Sequence, residues 1–220
     1  MKTQKKDFVE LKFTGYANGE VFDSNIEEDL KKIYPDAKPK KTTVVIGENL
    51  VVQGFDKALE DKDIGKEYSV ELDQKESFGD RKRDLIRTLP LASFTGQKIY
   101  PQPGMIFTLD NYLVKIVAVS GARVTADFNN PLAGKKISYK FTITRKVEDE
   151  KEKVEVLLQT FFHNVPEFEL KESELIVKLP KKMKQFVEMY KEKFKEILGK
   201  DLKFEEKEET KKTKELAVEQ

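Results

Sequence analysis

The sequence predicts an α+β fold: a small antiparallel sheet wrapped on a short helix, a β-rich insert, and a C-terminal α/β module. Three observations carry this. Residues 44–59, VVIGENLVVQGFDKAL, pass from a β-branched strand (Val44, Val45, Ile46) through a turn at Gly47 into a short helix after Gly54, with Ala58 and Leu59 facing inward. Alternating segments at 8–13, 67–72 and 137–143 share one style, and a series of shorter strands separates the last from the others. Further on, Met183, Phe186, Val187, Tyr190, Phe194, Ile197 and Leu198 fall on one face of an amphipathic helix. The implied units are 1–84 with 128–146, an insert at 85–127, and a module at 147–220 that ends in a charged tail.

Taken in order, residues 8–13 read F-V-E-L-K-F, a half-buried strand, which Thr14–Gly15 is expected to break. Asn18–Gly19 then supplies a hairpin turn before Val21 and Phe22. Residues 26–41 are charged, contain Pro35 and Pro39, and read as an excursion with one helical turn. In 67–72, Tyr68, Val70 and Leu72 share a face. Within the insert, strands are expected at 99–100, 105–109, 112–119 and 123–128, divided by turns at 101–104, 110–111 and 120–121. Another turn, NNPLAG at 129–134, precedes the strict alternation of Ile137, Tyr139, Phe141 and Ile143. That strand is read as completing a sheet begun before the insert. Residues 147–153 read as a charged connector, and 154–162 and 174–179 as strands. Pro180 opens the amphipathic helix, Gly199 caps it, and 202–204 forms a last strand, giving a β-β-α-β unit. Residues 205–220 are mostly charge and read as a frayed tail.

Composition excludes several function classes. The chain has 220 residues, 38% hydrophobic and 37% charged, the latter well above the roughly 25% of an average soluble protein. Such a Lys- and Glu-rich surface is of the kind hyperthermophiles favour. Lys and Arg number 41 against 40 acids, a net charge of +1, so nothing attracts nucleic acid or an anionic membrane over the whole surface. No cysteine is present, which excludes disulfides, zinc–thiolate sites and thiol nucleophiles and fits a reducing cytoplasm. The first residues lack an apolar signal core, and no apolar run is long enough to span a bilayer, so a cytoplasmic location is expected. The single histidine, His163, lies beside Phe161 and Phe162 in what reads as a strand, a structural position. A histidine metal cluster is excluded by count.

The succession Phe13–Thr14–Gly15, then GEVFD at 19–23, then Ile46–Gly47 to Phe55, then Phe78–Gly79 resembles the FKBP-type peptidyl-prolyl isomerases. The NNPLAG turn followed by Ile137–Ser138–Tyr139 resembles the SlyD-like branch and the long archaeal FKBPs, in which an insert-in-flap domain interrupts the sheet. The resemblance covers residues 5–146; the C-terminal third resembles the long archaeal members in architecture alone. It implies a pocket formed by Phe13, Phe22, Asp23, Leu50, Val51, Val52, Phe55, Phe78 and Tyr139. Of these, Asp23, Phe78 and Tyr139 would be catalytic and the other six would bind substrate. Phe13 and Phe78 stand where the family usually has Tyr, Phe55 where Trp is common, and Asn130 where the branch usually carries His. No cofactor or metal is implied. The partners implied are unfolded or proline-containing polypeptides.

The chemistry needs neither nucleophile nor base. Rotation about an X-Pro bond meets a barrier of roughly 18–20 kcal/mol set by amide resonance. Resonance separates charge, so an apolar pocket costs the planar amide more than the twisted one. Acceleration of a thousandfold to a millionfold asks for roughly 4–8 kcal/mol. An aromatic floor, with substrate hydrogen bonds near Val51 and Val52, supplies it by differential binding. Asp23 reads equally as a polar partner for the substrate carbonyl and as a turn cap after its strand. In the insert, Tyr100, Met105 and Phe107 are the expected exposed residues of an apolar groove, for which the resemblance implies chaperone binding. Two functions compete: an isomerase with a built-in chaperone unit, and a non-catalytic holdase with a degenerate pocket. The missing hydroxyl at Phe78 favours the second; Phe22, Asp23 and Tyr139 favour the first. For the C-terminal module, the helix's broad apolar set predicts self-association as a homodimer, or client binding.

Overall fold

The computed structural model describes residues 2–109 and 112–207, residue 112 by its backbone alone. The expected 110–111 turn and the charged tail beyond 207 lie outside the described residues. The fold is α+β. Strand β1 (Phe8–Ala17) runs unbroken through Thr14–Gly15, where a break was expected; the chain there makes a bulge between Gly15 and Tyr16 instead. Asn18 and Gly19 both take positive φ, 52° and 86°, which a tight hairpin into β2 (Glu20–Ser24) requires. The excursion that follows holds two helical turns, α1 (Glu27–Ile33), before β3 (Thr42–Val45). Helix α2 (Gln53–Ala58) starts one residue before Gly54, which is buried where an added Cβ would meet Leu72 Cδ2 at 2.9 Å and the Glu76 carbonyl at 3.1 Å. Strand β4 (Glu67–Leu72) closes the first half.

The insert is a four-stranded antiparallel sheet, β5 (Ile86–Pro90), β6 (Ile106–Leu109), β7 (Tyr112–Ser120) and β8 (Arg123–Asp127), in the order β5-β8-β7-β6. A single turn of helix, α3 (Ala92–Thr95), packs Phe94 into it. Residues 99–100, expected as a strand, are irregular chain instead, because Ile99 N–H bonds back to Phe94 O at the end of α3. Strand β9 (Ile137–Lys146) then returns to the first sheet. It lies between β1 and β4, so the order is β2-β1-β9-β4, with β3 added on the near half of β1 and every pair antiparallel.

The C-terminal part corrects one reading. Residues 154–162 are not a strand but most of α4 (Glu150–Phe162), whose first turn uses the charged residues read as a connector. Asp149 caps it, accepting from Glu152 N at 2.7 Å, and Val154, Leu157, Leu158 and Phe162 recur at helical spacing on its buried side. His163 is therefore not in a strand; it ends the helix in the left-handed region, φ 59°, and is exposed. Strands β10 (Glu167–Leu170) and β11 (Glu174–Leu179) pair antiparallel. Pro180 leads through a short 3₁₀ turn into α5 (Lys184–Leu198), and Gly199 caps it at φ 72° before β12 (Asp201–Glu206) pairs parallel with β11. The unit is thus α-β-β-α-β rather than β-β-α-β.

Three apolar clusters organise the molecule. One fills the first sheet beneath α2, and a second fills the insert. The third contains α4, α5, β11 and β12 together with Phe8, Val45 and Val147, so residues on both sides of 146 share one core. Above that core, Arg145 pairs with Glu10 and Glu152, and Lys41 with the same two acids at 3.1 and 2.6 Å. Among the described residues, no helix is long and apolar enough to cross a membrane.

Candidate active site

The register of the first sheet assembles the site. Gly15 on β1 lies opposite Tyr139 on β9 and opposite Asp23 on β2; Phe13 lies opposite Phe141. Alternation puts Phe13, Tyr139 and Phe141 on the concave face, and α2 lays Phe55, 1% exposed, across it. The Phe55 and Tyr139 rings stack with centroids 4.2 Å apart and planes 1° from parallel. Phe13 leans on both, at 5.9 and 6.3 Å. Phe22 meets Tyr139 edge-on at 5.8 Å and Phe78 edge-on at 5.8 Å. Leu50, Val51 and Val52, half-buried at the mouth, complete the rim. Of the nine residues expected in the pocket, eight therefore come from five chain segments into one apolar cluster, and Asp23 lies beside it, opposite Gly15.

Several contributors escaped sequence reasoning. Gly15 was read as a strand breaker, yet a Cβ there would stand 2.8 Å from Tyr139 Cε1 and 2.9 Å from Phe22 Cε1 and Cζ. Its missing side chain is the space those two rings occupy. Leu132, from the NNPLAG turn, also packs against the cluster, and the turn is tied to the Phe78 segment by Gly134 N–H donating to Gly79 O at 2.8 Å. Asp56, 3% exposed, accepts from Gly47 N at 3.0 Å and Asn49 N at 2.9 Å, which shapes the loop carrying Leu50, Val51 and Val52. A buried acid on α2 spaced to reach that loop was the available signal.

The electrostatics are those of a largely apolar box with two polar groups. Burial, and secondarily the charge of Asp23, pushes the Tyr139 phenol well above its ordinary value, so it remains a donor at any physiological pH. Among the described residues no internal acceptor takes that hydroxyl's proton. Asp23 is open by surface area yet crowded by protein around its carboxylate; that desolvation raises its pKa, opposed by a hydrogen bond from the Ser24 backbone. Among the described residues, the N–H groups of Val51 and Val52 have no internal acceptor either. An aromatic floor ringed by free donors suits a proline ring whose flanking carbonyls need partners.

The insert sites divide differently. Tyr100 is 74% exposed and Met105 is 38% exposed, as expected of surface residues. Phe107, expected to be exposed with them, instead packs in the insert's own core, edge-on to Phe94 at 5.8 Å. Alternation turns its neighbour Ile106 outward, together with Leu113 and Val117, 54%, 49% and 44% exposed. Ile106 and Leu113 line a cavity of about 470 Å³ that they share with Asn130, Pro131 and Ala133 of the NNPLAG turn. No cluster of acids, histidine or cysteine among the described residues has the form of a metal site.

Residues 1–108 match the FKBP-type peptidyl-prolyl cis-trans isomerase family, and residues 87–132 match the family described as FKBP26, IF domain. The chain is 32% identical to the short-type peptidyl-prolyl cis-trans isomerase of Methanocaldococcus jannaschii over 149 residues, 66% of this chain and 92% of that protein. It is 26% identical to the FKBP-type isomerase SlyD of Helicobacter pylori, over 64% of this chain and 74% of the relative. Fold, aromatic box and these similarities agree: the chain belongs to the FKBP-type peptidyl-prolyl cis-trans isomerases.

Proposed function

We propose that this isomerase turns over X-Pro bonds in the Phe13–Phe22–Phe55–Tyr139 box and that its insert holds unfolded chains beside it. The observation that carries the first part is the parallel stack of Phe55 on Tyr139, walled by Phe13 and Phe22. It forms a rigid apolar floor that desolvates the amide, with the Val51 and Val52 N–H groups and the Tyr139 hydroxyl left to meet carbonyls. Asp23 stands beside the floor, where its charge acts on the Tyr139 phenol and helps to organise that donor. The second part rests on the outward stripe Ile106, Leu113 and Val117, which is contiguous with the cavity at the NNPLAG turn. A chain held there lies close to the box, and linkage of this kind raises effective concentration by about two or more orders of magnitude.

The test is to excise residues 85–127 and bridge the gap with a short glycine turn. The insert has its own core, and β9 pairs with β1 and β4, both outside it, so the remaining sheet should close. Turnover of a short proline peptide is expected within about twofold of the parent, and acceleration of proline-limited protein refolding is expected to fall at least about tenfold. Equal refolding rates with and without the insert would remove the holding role. A binding-only holdase, the reading favoured by the missing hydroxyl at Phe78, would show no peptide turnover in the intact chain.

A further inference from the structure

The loop at residues 47–52 is gripped from two sides. From below, Asp56 on α2 holds the Gly47 and Asn49 N–H groups. Both residues sit in the left-handed region, φ 86° and 53°, so the loop's shape depends on outside contacts. From the other side comes α5, about 145 residues later in the chain. Its Lys193 ammonium pairs with the Glu48 carboxylate, whose side chain is only 5% exposed. One turn further on, the Glu196 carbonyl accepts from the Lys6 ammonium at 3.3 Å. Leu50 packs simultaneously against the isomerase core and the C-terminal core. The residues that follow, Val51 and Val52, are the substrate-facing part of the same loop.

We infer that α5 of the C-terminal module is part of the support of the isomerase site, with Lys193 and Glu48 as positioning residues that set the substrate-facing loop. The inference rests on the aromatic box being the proline site. The physical logic is that of a supporting shell. A loop whose free N–H groups must meet a substrate carbonyl gains affinity from being held in place before binding. Glu48 is buried enough that it needs a cation, and among the described residues Lys193 is the cation that reaches it. Loss of the pair would free the loop without touching the aromatic floor. The effect should therefore fall on binding of substrate more than on the twisting step.

The experiment uses the full chain. Lys193→Met keeps the packing of the stem and removes the charge, Lys193→Arg restores the charge, and Glu48→Gln removes the other partner. KM for a short proline peptide is expected to rise at least about threefold in Lys193→Met and Glu48→Gln, with kcat within about twofold; Lys193→Arg should return KM close to the parent value. A purely structural contact would lower the melting temperature and leave KM and kcat of the folded fraction alone, and that result overturns the coupling. So does a parallel fall of kcat in both variants without rescue by Lys193→Arg. Phe22→Ala run beside them separates the two ideas. Full activity in Phe22→Ala overturns both the box and the coupling. Lost activity there, with unchanged KM in Lys193→Met, overturns the coupling alone.

Discussion

Replacing Gly15 by alanine adds one methyl group at the place where the two rings of the box converge. Gly15 does not adopt the left-handed conformation, so alanine is allowed by the backbone and the perturbation is steric. The new Cβ would sit 2.8 Å from Tyr139 and 2.9 Å from Phe22, against about 3.5–4.0 Å for relaxed carbon contacts. Each contact is therefore short by roughly 0.6–1.2 Å. Tyr139 has little room, because it is stacked at 4.2 Å on a fully buried Phe55; Phe22 is the ring that moves, and Phe78 with it. Overpacking of this kind costs about 1–3 kcal/mol, which for a chain of this size lowers Tm by roughly 2–12 °C. A misplacement near 1 Å at a reacting site can cost up to about a hundredfold. The expected loss in kcat/KM is at least about tenfold, or about 1.4 kcal/mol of barrier. A proline-peptide isomerisation assay on protein verified as folded by circular dichroism reads this directly. Activity within about twofold of the parent, at a lowered Tm, would show that the two rings do not form the catalytic wall.

Other perturbations test neighbouring parts. Asp23→Ala and Phe78→Ala should each slow peptide isomerisation at least about tenfold in the same assay. Asp23→Asn should raise Tm at pH 7: folding raises the Asp23 pKa, so its ionised form costs stability, and the gain should vanish below the ordinary carboxyl value of about 3.8 in a pH series of melts. Glu152 runs the opposite way. Arg145 first, then Lys41, lower its pKa to about 2, so its stabilisation is present above 4.5 and is lost as pH falls through about 2. Glu152→Gln should thus be the less stable protein at pH 7, the two curves meeting in strong acid. Phe94→Ala removes the one aromatic among five fully buried side chains of the insert, a change of about 3–5 kcal/mol. Hydrogen exchange should show the insert opening alone while peptide turnover persists.

The sequence made the sheet and the gathering of its aromatic side chains legible because both rest on local signals. Asn18–Gly19, the alternation at 137–143 and the β-branched run into Gly47 each specify their own geometry. Helix α4 was obscured because valine and phenylalanine favour strands, while its helical evidence, the Asp149 cap and the 154, 157, 158, 162 spacing, straddled a stretch that read as a linker. In the insert, one residue of parity decided whether Phe107 or Ile106 faced water, and nothing local fixes that parity. The role of Gly15 and the grip of Lys193 on Glu48 depend on which strands and helices end up adjacent. Neither can be read before the topology is known.

The position of β9 bears on how this isomerase is itself made. The sheet's two halves flank a strand that arrives late: the Thr144 hydroxyl bonds the Glu10 carbonyl across 134 residues of chain. At ribosomal speeds of about 5–20 residues per second, β1 waits roughly 7–27 s for its central partner. The hairpin and β3 spend that interval with an unpaired edge, while the insert, whose strands lie within 86–127, has all it needs to close first. The nascent chain therefore holds a complete insert before it holds a complete isomerase unit. β9 then enters between β1 and β4, and α5, whose Glu196 carbonyl meets Lys6, docks after it.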